Sequence, residues 1–166
     1  MSLMYKVRDL ARPRRLVLDD VGIKEGYQVL DYGCGPGSYI VPLAELVGAS
    51  GKVYALDIHP LAIQEVRKLA KKKGLANVCT IFASEPGLPP ASVDIVLLYD
   101  ILHHLRNVSE VLVDLHRILR PEGILSVRDH HMKKAEIESR ITETGLFTSS
   151  IMGRQTSSFS KKTNNE

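Results

Sequence analysis

VLDYGCGPGSY, Val29 to Tyr39, is the stretch that decides the fold of this chain. An apolar run ends in Asp31 and passes into Gly33-x-Gly35-x-Gly37 ahead of a helical pattern. Glycines at a strand-to-helix turn let backbone approach a ligand closely, and the first turn of the helix presents unpaired N–H donors. A lone glycine repeat says little, but one placed between strand and helix, behind an acidic strand end, points to a nucleotide-like ligand. The plain alternative is a tight glycine turn with no ligand.

Working outward, short β-like runs alternate with helical patterns from about residue 27 onward. Tyr27–Asp31, Val53–Asp57, Val78–Phe82, Val93–Tyr99 and Ile124–Asp129 read as strands. VDIVLLY is nearly all apolar, as expected of a strand covered by helices on both faces. Val108, Val111, Leu112, Leu115, Ile118 and Leu119 form a helical stripe ended by Pro121 and Gly123, and Pro60 to Gly74 brackets a second helix. A further helix runs through about Gly145. Two late β-stretches joined around Gly153-Arg154-Gln155 read as a hairpin, which is antiparallel by construction. The expected architecture is an α/β Rossmann-like three-layer sandwich of about seven strands, mostly parallel with one antiparallel strand near the C-terminus. KKTNNE at the end reads as a frayed polar tail, and Met1–Leu3, ahead of a second methionine at Met4, as an added leader.

The 166 residues suit one domain, 1–166, and 44% hydrophobic with 25% charged residues lies in the globular range. No apolar run approaches the roughly 20 residues of a membrane span, and the first fifteen residues contain no secretory core, so a cytoplasmic protein with no membrane contact is expected. Two cysteines, Cys34 and Cys79, give neither a disulfide framework nor a cysteine zinc site a basis. The net charge of +3 falls short of a nucleic-acid-binding face, and Lys71-Lys72-Lys73 before Gly74 fits the negative end of a helix dipole. Nucleic acid is therefore disfavoured as a partner.

Charge also narrows the nucleotide. The dinucleotide fingerprint needs glycine at position 38, where this chain has Ser38, and it would set a pyrophosphate near Asp31. Two anions in a partly desolvated site repel, whereas a ligand carrying ammonium and sulfonium groups is attracted. S-adenosylmethionine carries both and no phosphate. Asp57, twenty positions beyond Gly37, ends the second strand where a carboxylate can accept both ribose hydroxyls, and Ile58 after it can cover adenine. A cap for the helix at Pro60 is the alternative role of Asp57.

Four ordered motifs, VLDYGCGPG, ALDIHP, the block LPPASVDIVLLYDILHHL of residues 88–105 and LRPEGILSV of residues 119–127, resemble the class I S-adenosylmethionine-dependent methyltransferases. The nearer likeness is to the small-molecule enzymes of ubiquinone and menaquinone biosynthesis, over about residues 27–129. The resemblance implies S-adenosyl-L-methionine as cofactor and methyl transfer to an O, N or C atom of a small-molecule acceptor. It implies that Asp31, Gly33 and Gly35, with Gly37 completing the loop, line the methionine moiety. Asp57 would hold the ribose, and Tyr99 and Asp100 would lie beside the cofactor. Two departures stand out. Where many relatives have an acid after the third strand this chain has Ala83-Ser84-Glu85, so adenine recognition falls to Ser84 or Glu85. No long insertion forms a substrate lid, and a homodimer is the arrangement that would supply one. Asp100 is followed by Ile101-Leu102-His103 and not by the Pro-Pro-aromatic run of base-directed amino-methyltransferases. The rival readings are a cofactor-binding module or subunit without turnover and a nicotinamide oxidoreductase.

Four of the six histidines fall in two pairs, His103-His104 after the fourth strand and His130-His131 after the fifth. Neighbouring strands would open both pairs onto one carboxyl-end crevice, where an imidazole is suited to take a proton near neutral pH. His103, His104, His130 and His131 are thus the catalytic candidates. A metal site is not expected, since adjacent residues seldom reach one ion and no HExxH-type spacing occurs.

Overall fold

A computed structural model describes residues 14–162; Met1–Leu3 and residues 163–166 of the tail lie outside the described part. Helical residues 14–19 (α1) lead into β1 (Gln28–Tyr32), α2 (Ile40–Val47), β2 (Lys52–Asp57), α3 (Pro60–Lys73), β3 (Val78–Phe82) and β4 (Val93–Tyr99). A 3-10 turn, Leu102–His104, precedes α4 (Val108–Ile118), β5 (Leu119–Arg128), α5 (Lys134–Thr142), β6 (Phe147–Met152) and β7 (Ser157–Lys161). The seven strands form one sheet in the order β3-β2-β1-β4-β5-β7-β6. β1 to β5 pair in parallel, while β7 runs antiparallel to both of its neighbours, β5 and β6. The α/β sandwich with a single reversed strand is therefore the observed fold.

Alternating side chains feed two cores, one on each face. Leu30, Val96 and Leu98 meet Leu112, Leu115 and Ile118 of α4, with Ile137, Ile141 and Phe147 beyond. Val29, Ile95 and Leu97 meet Ile40, Leu43, Ile63 and Val66 of α2 and α3, with Val17 and Leu18 of α1. The strand order reverses direction at β1, which has β2 on one side and β4 on the other. Such a switch point opens a crevice outside the carboxyl ends of the strands.

The α3 boundaries follow the sequence signals: Pro60 sits in the first turn, and Gly74 adopts φ 65° while its N–H returns to the Ala70 and Lys71 carbonyls. Lys71, Lys72 and Lys73 occupy the last turn, as the dipole reading has it. Two expectations need correction. Leu119 belongs to β5 and not to the preceding helix: its backbone turns extended (ψ 136°) and pairs with Val93, while Ile124 pairs with Ile95. The residues between them bulge, and Gly123 is required there because a Cβ would lie 2.9 Å from the Arg120 carbonyl and 3.1 Å from that of Asp94. At the other end Lys161 is no tail residue. It closes β7 opposite Phe147 and donates from Nζ to the Leu119 carbonyl at 3.0 Å.

Candidate active site

The glycine turn is built by backbone geometry. Gly33, Gly35 and Gly37 have φ of 78°, 53° and 90°, a region that L side chains rarely adopt. Their surroundings differ. Among the described residues a Cβ on Gly35 would meet nothing within 4 Å, so they leave this face of the loop open. On Gly33 it would press Ile101 at 3.1 Å, and on Gly37 it would press Val66 at 3.1 Å and Leu69 at 3.3 Å. Gly37 thus seats the loop against α3, while Gly33 lines the crevice and Gly35 lies beside it.

Asp57 ties that loop to β2. Its Oδ2 accepts the Gly35 N–H at 2.9 Å and its Oδ1 accepts the His59 N–H at 2.9 Å. The cap position of α3 is His59, with no side-chain cap, so Asp57 organises the approach to the helix without capping it. Each carboxylate oxygen keeps a further lone pair for a ligand. Asp31 is 2% exposed, and its Oδ2 has no hydrogen-bond partner among the described residues. Burial, reinforced by the nearby Asp57 charge, pushes its pKa from 3.8 up to about 7. Cys34 in the same turn is pushed up to about 12, first by burial and then by Asp31 and Asp57, which leaves it an inert thiol.

A cleft of about 670 Å³ opens beside these residues. Gly33, Asp57 and Ile58 form one wall, Ser84 and Glu85 another, and Ile101 and His104 a third. Ile58 is 59% exposed, as an apolar side chain facing a ligand would be. The Tyr32 hydroxyl donates to the Ser84 carbonyl at 2.9 Å and fixes the loop after β3. The far end of the cleft, at Arg106 and Asn107 just before α4 and at Glu110 and Asp114 on it, was not singled out by the sequence because helical spacing there reads as a solvated face. Asn107 and Glu110 form a hydrogen-bonded pair at 3.0 Å, an N-terminal helix signal that carries no functional mark of its own. Tyr99 and Asp100 do not line the cleft. Tyr99 is buried, its hydroxyl 2.9 Å from Ser126 Oγ, and burial raises its pKa. Asp100 stands at φ 53° immediately after β4.

The histidines are sorted by two crossed pairs. Asp129, after β5, faces His103, after β4, with Oδ2 2.7 Å from Nδ1. Asp100, after β4, faces His130, after β5, with Oδ1 2.7 Å from Nδ1. The rings of His104 and His131 lie against that of His103, with centroids 3.9 and 4.3 Å away. His130 stands apart from this stack. Arg128 Nη2 lies 2.9 Å from its Nε2, and because guanidinium only donates, that nitrogen must accept. A second hollow of about 220 Å³, lined by Arg128, Asp129, His130, Met132, Lys134 and Gln155, lies between β5, α5 and the hairpin.

A family model described as a methyltransferase domain matches residues 23–163. The chain belongs to this family, and its sheet is that of the class I S-adenosylmethionine-dependent methyltransferases. It is 33% identical over 126 residues to the demethylmenaquinone methyltransferase of Geobacillus stearothermophilus, covering 75% of this chain and 54% of that protein. It is 45% identical over 74 residues to the aklanonic acid methyltransferase DauC of Streptomyces sp. (strain C5), covering 43% of this chain and 34% of that one. The chain thus spans from a third to about half of these curated relatives. A SAM-dependent methyltransferase structure from Aquifex aeolicus superposes with a TM-score of 0.77 at 26% identity, covering 95% of this chain and 96% of that one.

Proposed function

We propose that the chain binds S-adenosylmethionine across the carboxyl ends of β1, β2 and β4 and transfers its methyl group to an oxygen, nitrogen or carbon of a small molecule. The observation that carries this reading is Asp31: a buried carboxyl whose Oδ2 has no partner among the described residues, beside a glycine loop whose Gly35 faces open space. A buried carboxyl without a donor calls for a cation and repels a phosphate. An amino-acid sulfonium ligand satisfies both conditions, whereas the pyrophosphate of a nicotinamide dinucleotide violates the second.

Asp31, Gly33 and Gly35 would hold the methionine end, Asp57 the ribose hydroxyls, Ile58 one face of adenine, and Ser84 or Glu85 its edge. When bound, the cofactor supplies an already activated methyl group on a sulfonium. The chain supplies position and exclusion of water. His104 on the cleft wall and His103, His130 and His131 beyond it stand where an acceptor would approach. The names of the relatives, which act on demethylmenaquinone and aklanonic acid, favour a small organic acceptor. Among the described residues no helix is long and apolar enough to cross a membrane, which agrees with a cytoplasmic location. A second copy of the chain over the acceptor side would supply the lid.

Calorimetry and thermal shift with S-adenosylhomocysteine and with NAD test the cofactor. A raised melting temperature with the first and none with the second is expected, since a ligand of the native state stabilises it. The reverse order would overturn the reading.

A further inference from the structure

Of the four candidate histidines the geometry equips one. Asp129 has a fully buried side chain and collects three donors: the Nδ1–H of His103 at 2.7 Å and its backbone N–H at 3.1 Å on Oδ2, and the His131 N–H at 2.9 Å on Oδ1. Burial alone would raise its pKa, but the hydrogen bonds from His103 and from the two backbone groups outweigh burial and hold it below 3.8. An ionised carboxylate only accepts, so the ring proton of His103 is on Nδ1 and the lone pair is on Nε2. Stacking against His104 and His131 fixes the plane of the ring, and its side chain keeps 21% exposure. Nε2 has no partner among the described residues. His130 is the contrary case, since Arg128 covers its Nε2. Among the described residues His104 and His131 have no carboxylate partner to set a tautomer.

The place of the pair is as specific as its orientation. His104, next in the chain, lines the cofactor cleft, while Asp129 lines the second hollow across β5. His103 itself lines neither, and is tied to the first by its chain neighbour and to the second by its partner Asp129.

We infer that His103 accepts the proton of an O–H or acidic C–H acceptor at Nε2, with Asp129 as the positioning residue that holds its ring and tautomer. The inference rests on the methyl-transfer reading and narrows its acceptor class: an amine needs no base before it attacks, whereas a phenol or a quinol carbon does. The acceptor's O–H bond breaks as its proton passes to Nε2; the electron pair left on oxygen forms the bond to the methyl carbon, or in a quinol shifts through the ring so that a ring carbon forms it and then loses its own proton to water, and the pair of the broken C–S bond stays on sulfur. The imidazolium then returns its proton to water.

The test has two arms. In ring-15N-labelled protein saturated with S-adenosylhomocysteine, His103 is expected as the Nδ1–H tautomer. Asp129→Asn, which offers an amide donor to Nδ1, is expected to move it to Nε2–H while binding the nucleoside normally. An Nε2–H tautomer in the unmodified protein overturns the inference. In the second arm, transfer from labelled cofactor to 1,4-naphthoquinol, catechol and 4-hydroxybenzoate is followed. His103→Ala is expected to lower kcat by about 10²–10⁴ with little change in KM, and added imidazole to restore part of it. Equal turnover in His103→Ala, or transfer confined to amines without a hydroxyl such as phenethylamine, overturns the base and its acceptor class. Transfer to none of the three protic probes likewise overturns that class. Loss of S-adenosylhomocysteine binding in the unmodified protein would instead sink the methyl-transfer reading, so the two failures are separable.

Discussion

The N–H of Gly35 donates to Oδ2 of Asp57 at 2.9 Å, so the glycine turn after β1 and the end of β2 are one hydrogen-bonded unit. A ligand gripping either element feels the other. Asp57→Ala therefore removes both the ribose acceptor and the tie that shapes the loop. Charge-assisted hydrogen bonds contribute about 1.5–3 kcal/mol each, so S-adenosylhomocysteine should bind at least about tenfold more weakly by calorimetry. An unchanged Kd would leave Asp57 a purely structural residue of the turn before α3.

Substitutions at two glycines of one turn should separate ligand space from packing. Gly35→Val directs a branched side chain into the open crevice from a residue at φ 53°, and S-adenosylhomocysteine binding should disappear. Gly37→Ala points into Val66, Leu69 and Ile40, so its first effect should be on melting temperature, with a loss of about 1–3 kcal/mol typical of overpacking. Circular dichroism melts and calorimetry on both variants check the order of damage.

Asp31 gives the protein a pH signature. Its folded pKa near 7 lies above the unfolded value of 3.8, so between these pH values the folded chain holds a proton that the unfolded chain has released. This contribution to stability is lost as pH rises through that interval and is absent above it. A cationic ligand favours the carboxylate, so cofactor affinity should rise over the same interval and binding at pH 6 should release a proton. Calorimetry in buffers of different ionisation enthalpy measures that release, and Asp31→Asn should abolish it.

Arg128 holds the other histidine. Arg128→Met should free Nε2 of His130, whose Nδ1 remains on Asp100, and a ring-15N spectrum should report the change at His130 while His103 keeps its signals. Altered His103 signals would show that the two crossed pairs move together.

Much of this architecture is legible from residue types alone. Val78–Phe82 and Val93–Tyr99 have the boundaries that their apolar runs suggest, and α3 begins at its proline and ends at its glycine, because these signals are local. The first strand lies one residue later than the apolar run suggests, at Gln28–Tyr32. Leu119 continues the helical stripe in sequence and leaves it in space, since pairing with Val93 outweighs periodicity. The histidine pairs and the neighbouring Asp100 and Asp129 are visible in the sequence, but which carboxylate meets which ring is not. His103 meets Asp129 and His130 meets Asp100 across neighbouring strands, and no spacing within one loop encodes a crossing between two. Asp114 and Glu110 joined the cleft for the same reason, through the docking angle of α4.

The reversed strand β7 follows β6 in the chain and lies between β5 and β6. During synthesis β6 therefore has no sheet partner until its successor leaves the ribosome and slides into the gap. The Gln155 N–H then closes onto Asp20 Oδ2 at 2.9 Å, a contact spanning 135 positions. Such non-local closure slows folding, and until it occurs β5 presents a bare hydrogen-bonding edge. A chain truncated after Met152 should consequently associate through that edge, so that β7 acts as the molecule's own guard against polymerisation.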